Sequence, residues 1–231
     1  MNCMIKHFDV LDSTNQYLIE HWQKLPSRTI VIADQQAKGR GKQGKCWYSK
    51  NTHNLYASIL LKSEKDIEKS SPLLTMLLSL ACCEVLDEYI APLHLKPQMR
   101  WPNDVLINHR KIAGVLAECS WVNRKLDYVV LGIGLNLSLS SHEIDLIDQP
   151  VTSLNELLFY PVSKNDVLQK LISKFFRKYD SILKDNPGFL LTLFQQRLIP
   201  CKTSGQEISL WLDSIQKMAY HGNNNLLQES I

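Results

Sequence analysis

The sequence predicts an α+β protein, and three observations carry that prediction. Apolar runs at 29–33 and 54–61 read as strands on either side of a glycine-rich loop. Turn signals at Asn108-His109-Arg110 and Asn123-Arg124-Lys125 join strand-like runs between 105 and 139 as hairpins. Two segments, 71–90 and 164–182, place apolar residues at helical spacing. A chain of 231 residues has room for one substantial core and a small second unit.

In chain order, Asp12-Ser13-Thr14-Asn15 supplies N-cap residues ahead of a helix beginning near Gln16. Its hydroxyls and amide make either a plain cap or a polar end for a small ligand. After the strand at 54–61, Ser71-Pro72 is expected to start a helix whose buried face is Leu73, Leu74, Leu77, Leu80 and Ala81, ending near Ile90. Arg100-Trp101-Pro102-Asn103-Asp104 forms a compact polar corner before the short strand Val105-Leu106-Ile107. The strand Lys111-Ile112-Ala113-Gly114-Val115-Leu116-Ala117-Glu118 carries an oddly placed lysine and glycine. In the next strand, 126–139, Ile133, Leu135, Leu137 and Leu139 share one face, and Gly132, Gly134, Asn136 and Ser138 share the other. A face bare at two successive positions leaves room for a closely packed element or for a ligand with Asn136 at its rim. Ser163-Lys164-Asn165-Asp166 caps the amphipathic helix with Leu168, Leu171, Ile172, Phe175, Phe176, Tyr179 and Ile182. Past Asn186-Pro187-Gly188 the tail holds one strand-like run, Glu207-Ile208-Ser209-Leu210-Trp211-Leu212.

Chemistry concentrates in Gly39-Arg40-Gly41-Lys42-Gln43-Gly44-Lys45-Cys46-Trp47. From Gln35 to Ser63 there are six cations (Lys38, Arg40, Lys42, Lys45, Lys50, Lys62) and no Asp or Glu. Glycines let backbone N–H groups approach an anion, and the cations add charge-assisted hydrogen bonds. The run fits G-x-G-x-x-G by accident, since a dinucleotide site needs a helix to start where Cys-Trp-Tyr-Ser follows. It also fits G-x-x-x-x-G-K, but Cys46 stands where a hydroxyl should hold magnesium. Like-charged and glycine-rich, the loop is expected to have little to pack against.

Composition narrows the classes. Hydrophobic content of 45% and charge of 21% are ordinary globular values, and a net charge of +3 is too small to argue for nucleic acid. There is no apolar run of membrane length and no signal-peptide pattern. Cysteines 3, 46, 82, 83, 119 and 201 form no C-x-x-C pair and sit mostly among apolar residues, which reads as reduced thiols in a cytoplasmic protein without a zinc site.

Five motifs stand in order: Asp-Ser-Thr-Asn at 12–15, GRG-x-x-G-x-x-W at 39–47, Trp-Pro-Asn-Asp at 101–104, Lys-Ile-Ala-Gly-Val-Leu-x-Glu at 111–118 and Gly-Ile-Gly-x-Asn at 132–136. Together, over about residues 8–190, they resemble the biotin–protein ligases, and Thr-Ser-Leu at 152–154 also fits. The resemblance implies a mixed, largely antiparallel sheet flanked by helices, related to the class II aminoacyl-tRNA synthetase fold. It implies a catalytic domain at 1–193 and a reduced C-terminal β-rich segment at 194–231. It further implies that biotin and ATP, with Mg2+, form biotinyl-5′-adenylate, whose biotinyl group passes to a lysine of a biotin carboxyl carrier protein of acetyl-CoA carboxylase or a similar carboxylase. DNA and membrane are not expected partners, and no repressor role is expected because little chain precedes Asp12. A homodimer is left open.

Carried onto matching positions, the resemblance assigns Ser13, Thr14, Asn15 and Gln36 to biotin's ring and tail. It assigns Gly39, Arg40, Gly41 and Lys42 to closure over the adenylate, and Gly114, Gly132 and Gly134 to making room for it. Lys111 would contact the reacting carboxylate and α-phosphate. Lys45, Trp47, Asn103, Asp104 and Asn136 would serve the nucleotide side. Lys111, Arg40 and Asp104 are the expected catalytic residues, Asp104 by orienting the incoming lysine or accepting its proton. No protein cage for a metal is expected. Lys42 and Lys45 stand where the family usually has arginines, and Arg100 where it usually has lysine. Lipoate ligases and octanoyltransferases share the expected fold. The former carry Arg-Arg-x-Ser-Gly-Gly-Gly, absent here. The latter need a nucleophilic cysteine, and Cys119, in an apolar strand, is expected to be core. A non-catalytic biotin sensor would not need phosphate-directed cations.

Overall fold

The computed structural model describes residues 3–62, 67–123, 125–182 and 188–199. Among the described residues seven strands form one sheet: β1 (Met4–Leu11), β2 (Thr29–Gln36), β3 (Leu55–Lys62), β4 (Gln98–Arg100), β5 (Asp104–Ile107), β6 (Arg110–Val122) and β7 (Lys125–Leu135). Their order is β1-β2-β3-β7-β6-β5-β4, and only β1 and β2 run parallel. The sheet is therefore mixed and largely antiparallel, as the resemblance implied. The hairpin turns at Asn108-His109 and Asn123 have positive φ, which asparagine tolerates.

Alternation sorts the side chains into two cores. Ile30, Ile32, Ala57, Ile59, Leu131, Ile133 and Leu135 face α2 (Ile67–Ile90) and α5 (Lys164–Ile182), whose Leu77, Leu80, Phe175 and Phe176 complete the main core. Val31, Leu60 and Val130 face the other way and meet Leu18 of α1 (Thr14–His21) in a smaller cluster. Lys174 and Lys178 of α5 pair with Glu88 and Glu84 of α2 at 2.6 and 2.5 Å, which aligns the two helices. Two short helices, α3 (Ser141–Asp145) and α4 (Leu154–Leu158), lie between β7 and α5.

Several boundaries differ from expectation. Helix α2 starts at Ile67, a turn before Ser71-Pro72. Strand β7 stops at Leu135, because the buried Asn54 side chain draws the Leu137 and Ser138 N–H groups out of the ladder at 2.8 and 2.9 Å. The polar corner at 100–104 is the turn joining β4 to β5, and β4 was not expected. Helix α6 (Gly188–Arg197) runs through residue 194, and Phe194 is buried in the main core. Residues 200–231, where a reduced β-rich segment was expected, lie outside the described residues.

Asp34 at the edge of β2 ties the sheet to α5. Its Oδ1 accepts from Lys164 Nζ at 2.5 Å and lies 2.9 Å from His7 Nε2. Burial pushes its carboxyl up, but the hydrogen bonds from Lys164 and His7 outweigh that and hold it below the usual aspartate value. A depressed carboxyl contributes stability above its unfolded pKa of about 3.9 and loses it as pH falls through the lower folded value. Asp34→Asn is therefore expected to lower Tm by about 2–4 °C at neutral pH. The difference from the parent protein should vanish as acid protonates Asp34, as thermal melts at stepped pH would show.

Candidate active site

On the face opposite the main core, the strand register lines up residues across the sheet. Asp104 of β5 pairs with Gly114 of β6, Gly114 with Gly134 of β7, and Gly134 with Tyr56 of β3. The next row runs Leu116, Gly132, Ser58 and Val31. Three of these positions lack a side chain, and neighbours lie where one would be. A Cβ at Gly132 would be 2.2 Å from Asn15 Oδ1, one at Gly134 2.3 Å from Trp47 Nε1, and one at Gly114 2.9 Å from Trp47 Cζ3. The bare face expected from strand parity is thus covered by Asn15 and Trp47.

Trp47 reaches this face from the glycine-rich loop, which is a small hairpin rather than an unpacked tether. Gly41 N–H donates to Lys45 O at 2.7 Å, Trp47 N–H donates to Gly39 O at 3.0 Å, and Arg40 and Cys46 form a bridge. Gly39 is required for this closure, since a Cβ there would sit 2.4 Å from Trp47 O. The tip, with Gln43 and Gly44 at positive φ, carries Lys42 and Lys45 into solvent. Lost hydration still pulls the Lys42 pKa below the ordinary lysine value, opposed by the Asp104 carboxylate.

Lys111 reaches the same face by a β-bulge. Strict alternation would set its side chain beside Ala113 and Val115, in the main core. Instead Val105 faces Ala113 while Leu106 faces Lys111, so one extra residue enters β6. The Lys111 backbone groups point away from β5 toward the 150–152 segment: its N–H donates to Pro150 O at 2.8 Å and its C=O accepts from Thr152 N–H at 3.0 Å. The side chain then lies beside Gly114. Its Nζ is 2.7 Å from Asp104 Oδ1 and 5.0 Å from the centre of the Trp47 ring, with both Lys111 and Asp104 side chains only 13% exposed. Arg100 holds the other Asp104 oxygen at 2.5 Å. One carboxylate thus orients two cations at the end of the glycine row.

The polar end lies at the start of α1. Ser13 caps the helix, its Oγ accepting from Gln16 N–H. Gln36 Oε1 accepts from Thr14 N–H at 2.8 Å, and Gln36 Nε2 donates to Ser49 Oγ at 3.0 Å. Ser58 Oγ lies 2.6 Å from Thr14 Oγ1 and 2.5 Å from Asn15 Oδ1. Asn15 Nδ2 donates to Glu118 Oε2 at 2.7 Å, and Arg40 Nη2 donates to the same oxygen at 2.8 Å. The carboxylate accepts only, so it sets the Asn15 amide with Oδ1 toward Ser58 and Gly132.

Arg40, Trp47, Asp104, Lys111, Gly114, Gly132, Gly134, Ser13, Thr14, Asn15 and Gln36 thus meet on one face. Four expected residues lie elsewhere: Lys42 and Lys45 are exposed at the hairpin tip, Asn103 Nδ2 donates to Val115 O, and the buried Asn136 donates to Thr152 O. Ser49, Ser58 and Glu118 were not singled out, although Ser58 and Glu118 share strand parity with the glycines. Cys119, expected in the core, is exposed on the opposite face from Glu118, because β6 there extends past the end of β5. Cys46 is exposed too. Among the described residues no cluster of three His, Cys, Asp or Glu side chains could hold a metal ion, and no helix is long and apolar enough to cross a membrane.

Residues 7–136 match the sequence model of the biotin/lipoate A/B protein ligase family, a span covering all five motifs. The chain belongs to that family. It is 29% identical over 175 residues to the bifunctional ligase/repressor BirA of Bacillus subtilis, covering 75% of this chain and 53% of the relative. It is 29% identical to the biotin–[acetyl-CoA-carboxylase] ligase of Mycobacterium tuberculosis over 62% of this chain and 51% of that protein. The chain therefore spans about half the length of these curated relatives. Among solved structures it superposes on the Aquifex aeolicus biotin protein ligase in complex with biotin and ATP, with a TM-score of 0.69 and 25% identity over 85% of this chain and 78% of that one. The Leishmania major ligase with biotinyl-5-AMP, 21% identical with a TM-score of 0.71 over 86% and 83% of the two chains, shares the fold. In this family setting, Lys111, Asp104 and the cationic hairpin border one continuous face.

Proposed function

We propose that the protein is a biotin–protein ligase: it activates biotin with ATP and passes the biotinyl group to a carrier-protein lysine. The observation that carries this is the Lys111 ammonium, held by Asp104 at the end of the Asp104–Gly114–Gly134 row with the cationic hairpin above it. Relatives point the same way, one named as a biotin–[acetyl-CoA-carboxylase] ligase and another crystallised with biotin and ATP. In the first step a biotin carboxylate oxygen attacks the α-phosphate of MgATP and pyrophosphate leaves. Two anions must approach, and Lys111 with Arg40 offsets their repulsion as charge shifts in the transition state. In the second step the carrier amine attacks the acyl carbon and AMP leaves, with Asp104 placed to orient that amine or take its proton. Ser13, Thr14, Asn15 and Gln36 form the polar end for biotin, while the Trp47 ring, seated over Gly114 and Gly134, presents a flat apolar surface.

We also place the protein in the cytoplasm, extend the catalytic unit through α6, and take the carrier to be a biotin carboxyl carrier protein. ATP–pyrophosphate exchange with biotin, lipoate and octanoate supplied separately tests the assignment. Exchange is expected with biotin alone. Exchange driven by lipoate or octanoate would move the protein to another branch of the family, and biotin binding without exchange would make it a sensor.

A further inference from the structure

Glu118 belongs to none of the roles above, yet one of its oxygens holds two parts of the site together. We infer that Glu118 is a positioning residue that tethers the cationic hairpin to the polar end of the pocket, acting through Arg40 on one side and Asn15 on the other. This rests on the ligase reading for its consequence but not for its geometry. Arg40 Nη2 and Asn15 Nδ2 both donate to Glu118 Oε2, at 2.8 and 2.7 Å. Asn15 is buried and held from its other end by Ser58, so its amide is a fixed post. Arg40 sits at the root of the hairpin, where it bridges to Cys46 one residue before Trp47. A guanidinium has five N–H donors, so a contact through Nη2 leaves others for a phosphate. The tether keeps Arg40 and the Trp47 ring over the glycine row without consuming the cation.

The side chains of Arg40 and Glu118 are 37% and 28% exposed, so the contact is screened by salt and modest in strength. Glu118→Gln is the informative variant. Its amide oxygen still accepts from Asn15, so the pocket is retained, while the charge that draws Arg40 is gone. Hydrogen exchange on the free protein is expected to show the Gly41 and Trp47 amides exchanging about two- to fivefold faster in the variant, with β6 and β7 amides unchanged. Raising KCl to about 0.5 M should speed those loop amides in the parent protein and leave the variant unaffected. Adenylate formed in the active site should dissociate faster by a similar factor, with the KM for biotin unchanged. Arg40→Gln should copy the loop exchange of Glu118→Gln, and the double variant should add nothing further. Unchanged loop exchange in Glu118→Gln, or equal acceleration across the sheet, overturns the tether. Because exchange is read on the free protein, a protein that activates no acid at all would refute the ligase assignment while the tether is still decided.

Discussion

Lys111→Ala is expected to reduce biotin-dependent ATP–pyrophosphate exchange by about 10²–10³-fold, the usual cost of deleting a group aimed at developing charge. The fold should survive, because β6 is held here by main-chain bonds that the substitution leaves alone: Lys111 N–H to Pro150 O and Thr152 N–H to Lys111 O. Asp104 also keeps Arg100 as a partner, so its charge is not stranded. A stability loss of about 1–2 kcal/mol follows, smaller than for a buried pair left wholly unmatched. Lys111→Arg should recover little, since a broad planar guanidinium cannot occupy the space that the compact ammonium fills between Asp104 and the Trp47 ring. Exchange within tenfold of the parent protein for Lys111→Ala would remove this residue from the chemistry.

Gly134→Ala is the second large effect. A Cβ there would lie 2.3 Å from Trp47 Cε2 and Nε1, a separation no packed atoms adopt. Strand β7 is paired on both sides, with β3 and β6, and cannot retreat. The indole must yield, because it hangs from a hairpin whose tip is solvent-exposed. Overpacking of this kind costs about 1–3 kcal/mol, or about 3–10 °C in Tm for a chain of this size. Trp47 would become more exposed, with red-shifted emission, and exchange should fall at least tenfold because the same hairpin carries Arg40. Wild-type melting, emission and exchange would mean that the indole does not rest on β7.

Much of the architecture was readable beforehand because its signals are local. Helix α5 has a continuous apolar stripe from Leu168 to Ile182 behind a capping sequence, and the hairpin turns carry asparagines that accept positive φ. Glycine parity in β7 marked a bare face from the side-chain period alone, and the structure packs Asn15 and Trp47 onto it. Other elements were illegible for equally physical reasons. Strand β1 is an edge strand, with Met4, Ile5 and Val10 all more than 40% exposed, so Met-Ile-Lys-His-Phe-Asp-Val-Leu shows no alternation. Strand β4 is three residues long, too short for a pattern. Helix α6 begins on the glycine of a Pro-Gly pair and is fixed chiefly by the burial of Phe194 in the main core.

The cations of the hairpin, Lys111, Asp104 and the three glycines are written in the chain in motif order. Their mutual arrangement is not. Strict alternation sends Lys111 into the main core, and only the extra residue in β6, Ile112, turns the amine toward Asp104. Likewise, Trp47 and Glu118 are remote in sequence from the partners they touch. Which groups share a surface depends on strand register and bulges, and these are set by packing among segments far apart along the chain.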